Sequence, residues 1–398
     1  MATNSQMNNK PQHCILHIGY GKTGTSSIQH MLANNREILR SGGIVYPDLK
    51  IGGGWLYMQN HNIVGRTLAG RKGWWGINLD EMFQQFFQQC AAAKCNTLLL
   101  SAESFLGGVQ PWDHTTSNDY YHAVSDTLDK LQEKLEGVNV TIMVYLRRQD
   151  YWLESAINQN IKFAGLMGPA FGNPSPEETA KIYAPRLDYA TVLDLWASRF
   201  GENSIKVGIY EKGRSGDDIT KDFLIRLDLL HLSIQPPPVN SSSQNIRLDM
   251  DVLRFKQILN KISRPKYEER VLVEALRKVS AEIEPSRDKW LLSGNFRRLL
   301  LERYATSNEK VSRRFLGDED GVLFRESWPD PEDNSHNAQL PAERILEILL
   351  RLQRHQQSCG YRIALFRHQI AEVLRKKFPL LHGAARYMSH KVSHSRVA

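Results

Sequence analysis

Short apolar runs recur along the first half of the chain, and helically spaced segments separate them. CILHIG (14–19) reads as a buried strand, and SSIQHMLANNREILRSGG (26–43) as one helix that stops at the glycine pair. IVYPDL reads as a short extended segment. Residues 50–76 read as loop, with a helical piece near NHNIVGRTLAG. LDEMFQQFFQQCAAAKC (79–95) has helical spacing, and NTLLLSAESF (96–105) gives the second strand. DYYHAVSDTLDKLQEKLEG (119–137) is amphipathic and closes on Gly137, and VNVTIMVYLRR (138–148) is a third strand rich in β-branched residues. QDYWLESAINQNIKFAG (149–165) is helical again, GPAFGNPSPEET a loop, YATVLDLWASRFG (189–201) a helix and SIKVGIYE (204–211) a fourth strand. Helix DDITKDFLIRLDLL follows.

Strands alternating with helices predict an α/β fold: three layers, α/β/α, around a central parallel sheet. A proline-rich break, QPPPVNSSSQ (235–244), precedes a mostly helical remainder from about residue 245. No internal repeat is visible. The domain expectation is one body over residues 13–330 and a basic helical extension over 340–398.

Composition changes this picture little. The 398 residues are 41% hydrophobic and 24% charged, ordinary for a globular protein. No run of about 18 apolar residues suggests a membrane span, and the polar start MATNSQMNNKPQH has no apolar signal core. The chain reads as cytoplasmic. Cys14, Cys90, Cys95 and Cys359 have no metal-ligand spacing and read as reduced, so no metal site is expected. The net charge of +8 is uneven: residues 361–398 carry +7 and the rest only +1. The high pI therefore describes the tail.

The chemistry concentrates in HIGYGKTGTSS (17–27), between the first strand and the first helix. A glycine-rich turn there aims backbone N–H groups at an anion, and a helix N-terminus adds roughly half a positive charge. Lys22 adds a full one. A nucleoside-triphosphate loop needs G-x-x-x-x-G-K-[ST]. Gly21, Lys22 and Thr23 fit its end, but the position five before Gly21 is Leu16. The third strand ends in Arg147 and Arg148 where a magnesium-binding acid would be sought.

H-I-G-x-x-K-T-G-T-[ST]-S resembles the 5′-phosphosulfate loop of sulfotransferases that use 3′-phosphoadenosine 5′-phosphosulfate (PAPS). Their second signature, an arginine at a strand end and a serine eight residues on, is similar to Arg147 and Ser155 in VYLRRQDYWLES. RLDYATVLDLWASRFG-x-x-SIKVGIYE, PVNSSSQ, YATSNEKVSRRFLG and VLF resemble a bacterial-type, carbohydrate-sulfotransferase-like branch, covering roughly residues 13–330. The resemblance implies a P-loop nucleotide-binding architecture with PAPS as sulfuryl donor and no required metal. It places Lys22 at the bridging or 5′-phosphate oxygens. Gly21 belongs to the same loop, and Thr23, Gly24, Thr25 and Ser26 supply backbone or hydroxyl hydrogen bonds. Arg147 and Ser155 clamp the 3′-phosphate. Arg148 is either a further donor contact or a solvated charge.

Such enzymes use a histidine or a glutamate as base. His61, in QNHNIVGR, stands slightly ahead of Glu103, just past the second strand, and Asp48 is a distant third; Ser101 helps to shape the same rim. Trp55, Tyr57, Trp74 and Trp75 crowd a glycine-rich stretch, as core packing or as a sugar-stacking acceptor site. In the tail, LPAERILEILLRLQRHQQ (340–357) and YRIALFRHQIAEVLRKKF (361–378) read as helices. The second is either packed on the body or docked on an anionic membrane at the inner surface. No nucleic-acid motif accompanies the charge. The leading expectation is sulfuryl transfer to a hydroxyl of a glycan or glycolipid. The alternatives are a P-loop small-molecule kinase and a catalytically silent nucleotide-binding or membrane-docking protein.

Overall fold

The computed structural model describes residues 10–51, 54–71, 73, 75–114, 116–167, 175–215, 218–236, 248–260, 265–286, 288, 290–333 and 340–357. The expected tail helix at 361–378, Cys359, Trp74 and the side chain of Trp55 lie outside the described residues. In chain order the elements are β1 (His13–His17), α1 (Thr25–Asn34), α2 (Arg36–Ser41), β2 (Ile44–Val45), β3 (Leu49–Ile51) and β4 (Gly54–Leu56). Then come α3 (Asn62–Leu68), α4 (Leu79–Ala93), β5 (Thr97–Ser101), α5 (Ser104–Gly107), α6 (Ser117–Lys134) and β6 (Asn139–Leu146). The second half holds α7 (Gln149–Met167), α8 (Pro176–Leu187), α9 (Tyr189–Phe200), β7 (Ile205–Ile209), α10 (Ile219–Arg226), α11 (Met250–Leu259) and α12 (Lys266–Glu282). It ends with α13 (Gly294–Arg303), α14 (Ala305–Val311) and α15 (Ala342–Gln357).

The chain divides into two compact units. The first takes residues 1–153, 180–244 and 297–329, and the second takes 154–179, 245–296 and 330–398.

The first unit is α/β. Its five-stranded sheet runs β2-β5-β1-β6-β7, and every pairing is parallel. Successive residues of β1 point to opposite faces, yet Cys14, Ile15, Leu16 and His17 are all buried. Both faces of the sheet are therefore covered, which is why these strands are apolar runs rather than alternating ones. On one face Ile15, Leu99, Met143 and Tyr145 pack with Ile28, Met31 and Leu32 of α1, Leu39 of α2 and Phe223 of α10. Capping fixes where the helices start: Asn78 with Glu81 forms a capping box at α4, and Thr116 with Asp119 forms one at α6.

Several local expectations change. The single helix over 26–43 is two helices. Asn35, at φ −112° and ψ 24°, breaks it, and its side-chain amide exchanges two hydrogen bonds of 2.9 Å with the backbone of Gln235. The stretch read as loop contains an antiparallel hairpin, β3–β4. Residues 175–179, read as loop, open α8: Ser175 Oγ accepts from Glu178 N–H at 3.1 Å, and the Glu178 carboxylate accepts from Ser175 N–H at 2.8 Å.

The second unit is helical among its described residues. Its interior holds an ion pair between Lys256 of α11, fully buried, and Glu269 of α12. Glu154 accepts backbone N–H bonds from Leu291 and Leu292, at 2.6 and 3.2 Å. The helix expected over 340–357 is α15. Among the described residues no helix is long and apolar enough to cross a membrane.

Candidate functional site

The strand order sets the site. From β1 the chain leaves towards β2 on one side, whereas from β6 it leaves towards β7 on the other. Neighbouring parallel strands whose connections diverge open a crevice at their carboxyl ends, where α/β proteins bind ligands. Here the two connections are the glycine-rich loop after β1 and the segment Arg147–Trp152 after β6.

The loop is built for close approach. A Cβ on Gly19 would lie 2.7 Å from Thr25 Oγ1, too close without a shift, whereas one on Gly21 would meet Glu103 Oε2 at 3.5 Å, an ordinary contact that places this carboxylate beside the loop. Lys22 and Gly24 are left-handed, at φ 75° and 77°. For glycine this is ordinary, but for a lysine it costs about 1–2 kcal/mol. Gly24 then passes directly into the right-handed first turn of α1. A left-to-right succession of this kind turns consecutive N–H groups into one concavity, an anion-binding nest. Here these are the N–H groups of Gly24, Thr25 and Ser26, at a helix N-terminus whose dipole has the same sign.

Two side chains from the β6 side hold the loop. Arg147 Nη1 donates to the Lys22 carbonyl at 3.0 Å, and Trp152 Nε1 donates to the Gly21 carbonyl at 2.9 Å. The Arg147 guanidinium lies over the rings of Tyr210, at 5.4 Å, and Tyr151, at 5.9 Å. The Thr23 hydroxyl donates to Tyr20 O at 2.6 Å, so this side chain is a brace within the loop.

Lys22 and Glu103 share the crevice. Burial lowers the Lys22 ammonium from its ordinary 10.5; the Arg147 charge adds to this and Glu103 opposes it. Burial raises the Glu103 carboxyl from its ordinary 4.5, against the pull of Lys22 and of the Thr25 hydroxyl. The pair thus consists of a cation and an acid whose affinities for a proton have moved towards each other.

Arg148 is neither a donor contact nor a solvated charge. It is 4% exposed and forks onto Asp150 at 2.8 and 3.0 Å, while Arg297 reaches the same carboxylate at 2.8 Å. Its other bonds go to the carbonyls of Glu326 and Ser327, at 3.0 and 2.7 Å. This buried triad fixes the start of α7. Ser155 lies further along α7 and falls in the second unit.

His61 is placed away from the proton-transfer role expected as one of two alternatives. It is fully buried. Its Nδ1 accepts from Ser101 N–H at 3.0 Å, so Nε2 carries the proton and donates to Pro47 O at 3.0 Å. Both nitrogens are thus committed to backbone. Burial pushes its pKa down to about 3, with the rings of Tyr46 and Phe86 edge-on to it. Ser101 is also internal, its hydroxyl 2.7 Å from Nδ1 of buried His17. Asp48 is paired with Arg36 at 2.9 Å. Of the aromatics, Trp75 is buried and Tyr57 is 64% exposed.

Trp152 and Tyr210 join the site without a motif of their own. Trp152 stands within the quoted VYLRRQDYWLES, but nothing in its spacing reveals that its indole reaches a loop 131 residues earlier.

Comparison with known proteins gives little to add. No family model matches the chain, and no solved structure matches it. An uncharacterized protein of Archaeoglobus fulgidus is 27% identical over 206 residues, which is 51% of this chain and 53% of that protein. The chain thus spans about half the length of that relative.

Proposed function

We propose that this protein is a P-loop-type sulfotransferase that moves a sulfuryl group from PAPS to a hydroxyl of a glycan or glycolipid. The observation that carries the reading is the meeting, at one sheet crevice, of a lysine-bearing nest, a carboxylate with a raised pKa and an arginine on the neighbouring strand end. PAPS presents a phosphosulfate and a separate 3′-phosphate, so it needs cationic groups at two places. Lys22 with the nest meets the first need and Arg147 the second. The reading rests on residues of the first unit alone; Ser155 enters it only through the sequence resemblance.

Bound there, PAPS supplies an SO3 unit attached to a phosphate leaving group. Lys22 balances the charge that grows on the phosphate oxygen, in a half-buried setting where a charge acts more strongly than in water. The N–H groups of Gly24, Thr25 and Ser26 point at the same anion. Glu103 takes the proton of the acceptor hydroxyl, and its raised pKa suits it to hold that proton. With His61 committed to the core, Glu103 is the base. The proposed peripheral contact of the basic tail with an anionic membrane would bring a lipid-linked acceptor near.

Thermal stabilisation separates this reading from the kinase and from the silent binder. Adenosine 3′,5′-bisphosphate should raise the unfolding midpoint, and ATP with magnesium should not. The reverse result sinks the proposal. Turnover of labelled PAPS with a glycan acceptor panel distinguishes an enzyme from a protein that only binds.

A further inference from the structure

The carbonyl of Gly21 and the carbonyl of Lys22 are consecutive, and each is held by a different side chain from the segment after β6. A peptide unit is planar and trans, so the N–H of residue 22 points opposite to the Gly21 carbonyl. Fixing that carbonyl towards α7 turns the Lys22 N–H away from α7. The same holds for Thr23 N–H and the Lys22 carbonyl.

The Gly21–Lys22 peptide has an alternative. Rotating it by about half a turn changes only ψ of residue 21 and φ of residue 22. Glycine accepts either ψ. Lys22 would move from φ 75° to a negative φ, where a lysine carries no strain. The local chain therefore prefers the flipped peptide, and the observed one needs an external hold. Trp152 supplies it. The indole is 5% exposed, lies edge-on to Tyr183 at 5.1 Å, and gives its one donor to Gly21 at 2.9 Å.

The geometry points to Trp152 as a positioning residue that keeps the Gly21–Lys22 peptide in its strained orientation, and with it the form of the loop that leads into the Gly24–Ser26 nest. This inference rests on the reading that the loop holds phosphate, and it deepens that reading. Trp152 does not touch the anion. It acts through one carbonyl, and the left-handed Lys22 is the trace of its action.

Trp152→Phe keeps an aromatic ring but removes the donor together with part of the buried bicycle. In the full chain, calorimetric affinity for adenosine 3′,5′-bisphosphate should fall roughly tenfold; the smaller ring lowers the ligand-free unfolding midpoint as well, so affinity is read at a temperature where the variant is fully folded. Unchanged affinity overturns the inference. Inorganic pyrophosphate is titrated in parallel. A parent that binds pyrophosphate but not the bisphosphate refutes the donor assignment, and the Trp152 comparison is then read on pyrophosphate. A parent that binds neither overturns both.

A ligand-free measurement tests the same point. In the parent, Lys22→Gly should melt above Lys22→Ala, because only glycine is at ease left-handed. In the Trp152→Phe background the order should reverse, because the flipped peptide favours alanine. The same order in both backgrounds overturns the inference. Should Trp152→Phe fail to fold, the native protein still decides: the Trp152 indole N–H should exchange slowly and more slowly with pyrophosphate bound. Fast exchange overturns the inference.

Discussion

His61→Phe separates a structural histidine from a catalytic one. The substitution keeps an aromatic ring against Tyr46 and Phe86 but removes both hydrogen bonds. The Ser101 N–H and the Pro47 carbonyl lose their partners, and each buried orphan costs about 1–3 kcal/mol. At pH 7.5 the variant should therefore be less stable by about 2–6 kcal/mol. The loss depends on pH in a defined direction. The folded pKa of His61, about 3, lies below its ordinary 6.5. The folded state thus binds fewer protons than the unfolded state. The stability that the neutral ring contributes is fully present above pH 6.5 and is lost as pH falls towards 3. Between pH 7.5 and 5 this removes roughly 2 kcal/mol from the parent and nothing from the variant. Urea unfolding of both proteins at the two pH values measures the gap, which should narrow by that amount. Other titrating groups contribute equally to both and cancel. A gap that stays constant refutes the assignment of His61 as a buried neutral tie.

The remaining predictions concern charge. The activity profile should be bell-shaped, with an acid limb above 4.5, where Glu103 takes up a proton, and a basic limb below 10.5, where Lys22 loses one; Glu103→Gln should abolish turnover while bisphosphate binding survives, and retained turnover would exclude Glu103 as base. Asp150→Asn removes the buried carboxylate that both Arg148 and Arg297 grip, so urea unfolding should show a loss of about 3–5 kcal/mol, and a loss near zero would contradict the burial of the triad.

The sequence made legible what depends on neighbours along the chain. The apolar runs of β1, β5, β6 and β7 announce themselves because both sheet faces are covered. The loop after β1 is visible because glycines, lysine and a helix start stand in order. What depends on distant partners stayed hidden. Asn35 is compatible with helix until the Gln235 backbone competes for its amide. His61 in a polar stretch looks exposed, and only the path of Pro47 and Ser101 around it makes it internal. Arg148 reads like Arg147, since adjacent residues at a strand end differ only in which side of the sheet receives them. One signal was present and readable: Ser175, Pro176 and Glu178 form a capping sequence that announces α8.

Strand order also has a consequence for synthesis. β1 is the middle strand, and it is made before both of its neighbours. Its pairing partner in β5 follows 84 residues later, as His17 and Ser101 mark, and the Arg147 that closes the crevice is 125 residues from Lys22. At about 5–20 residues per second, an apolar ribbon waits several seconds on the ribosome with both edges open. The nascent chain is therefore most exposed to wrong strand pairing where the finished protein is most enclosed. A pause or a folding helper would matter most before residue 101 emerges, and the glycine-rich loop after β1 can assume its held form only after Trp152 has left the tunnel.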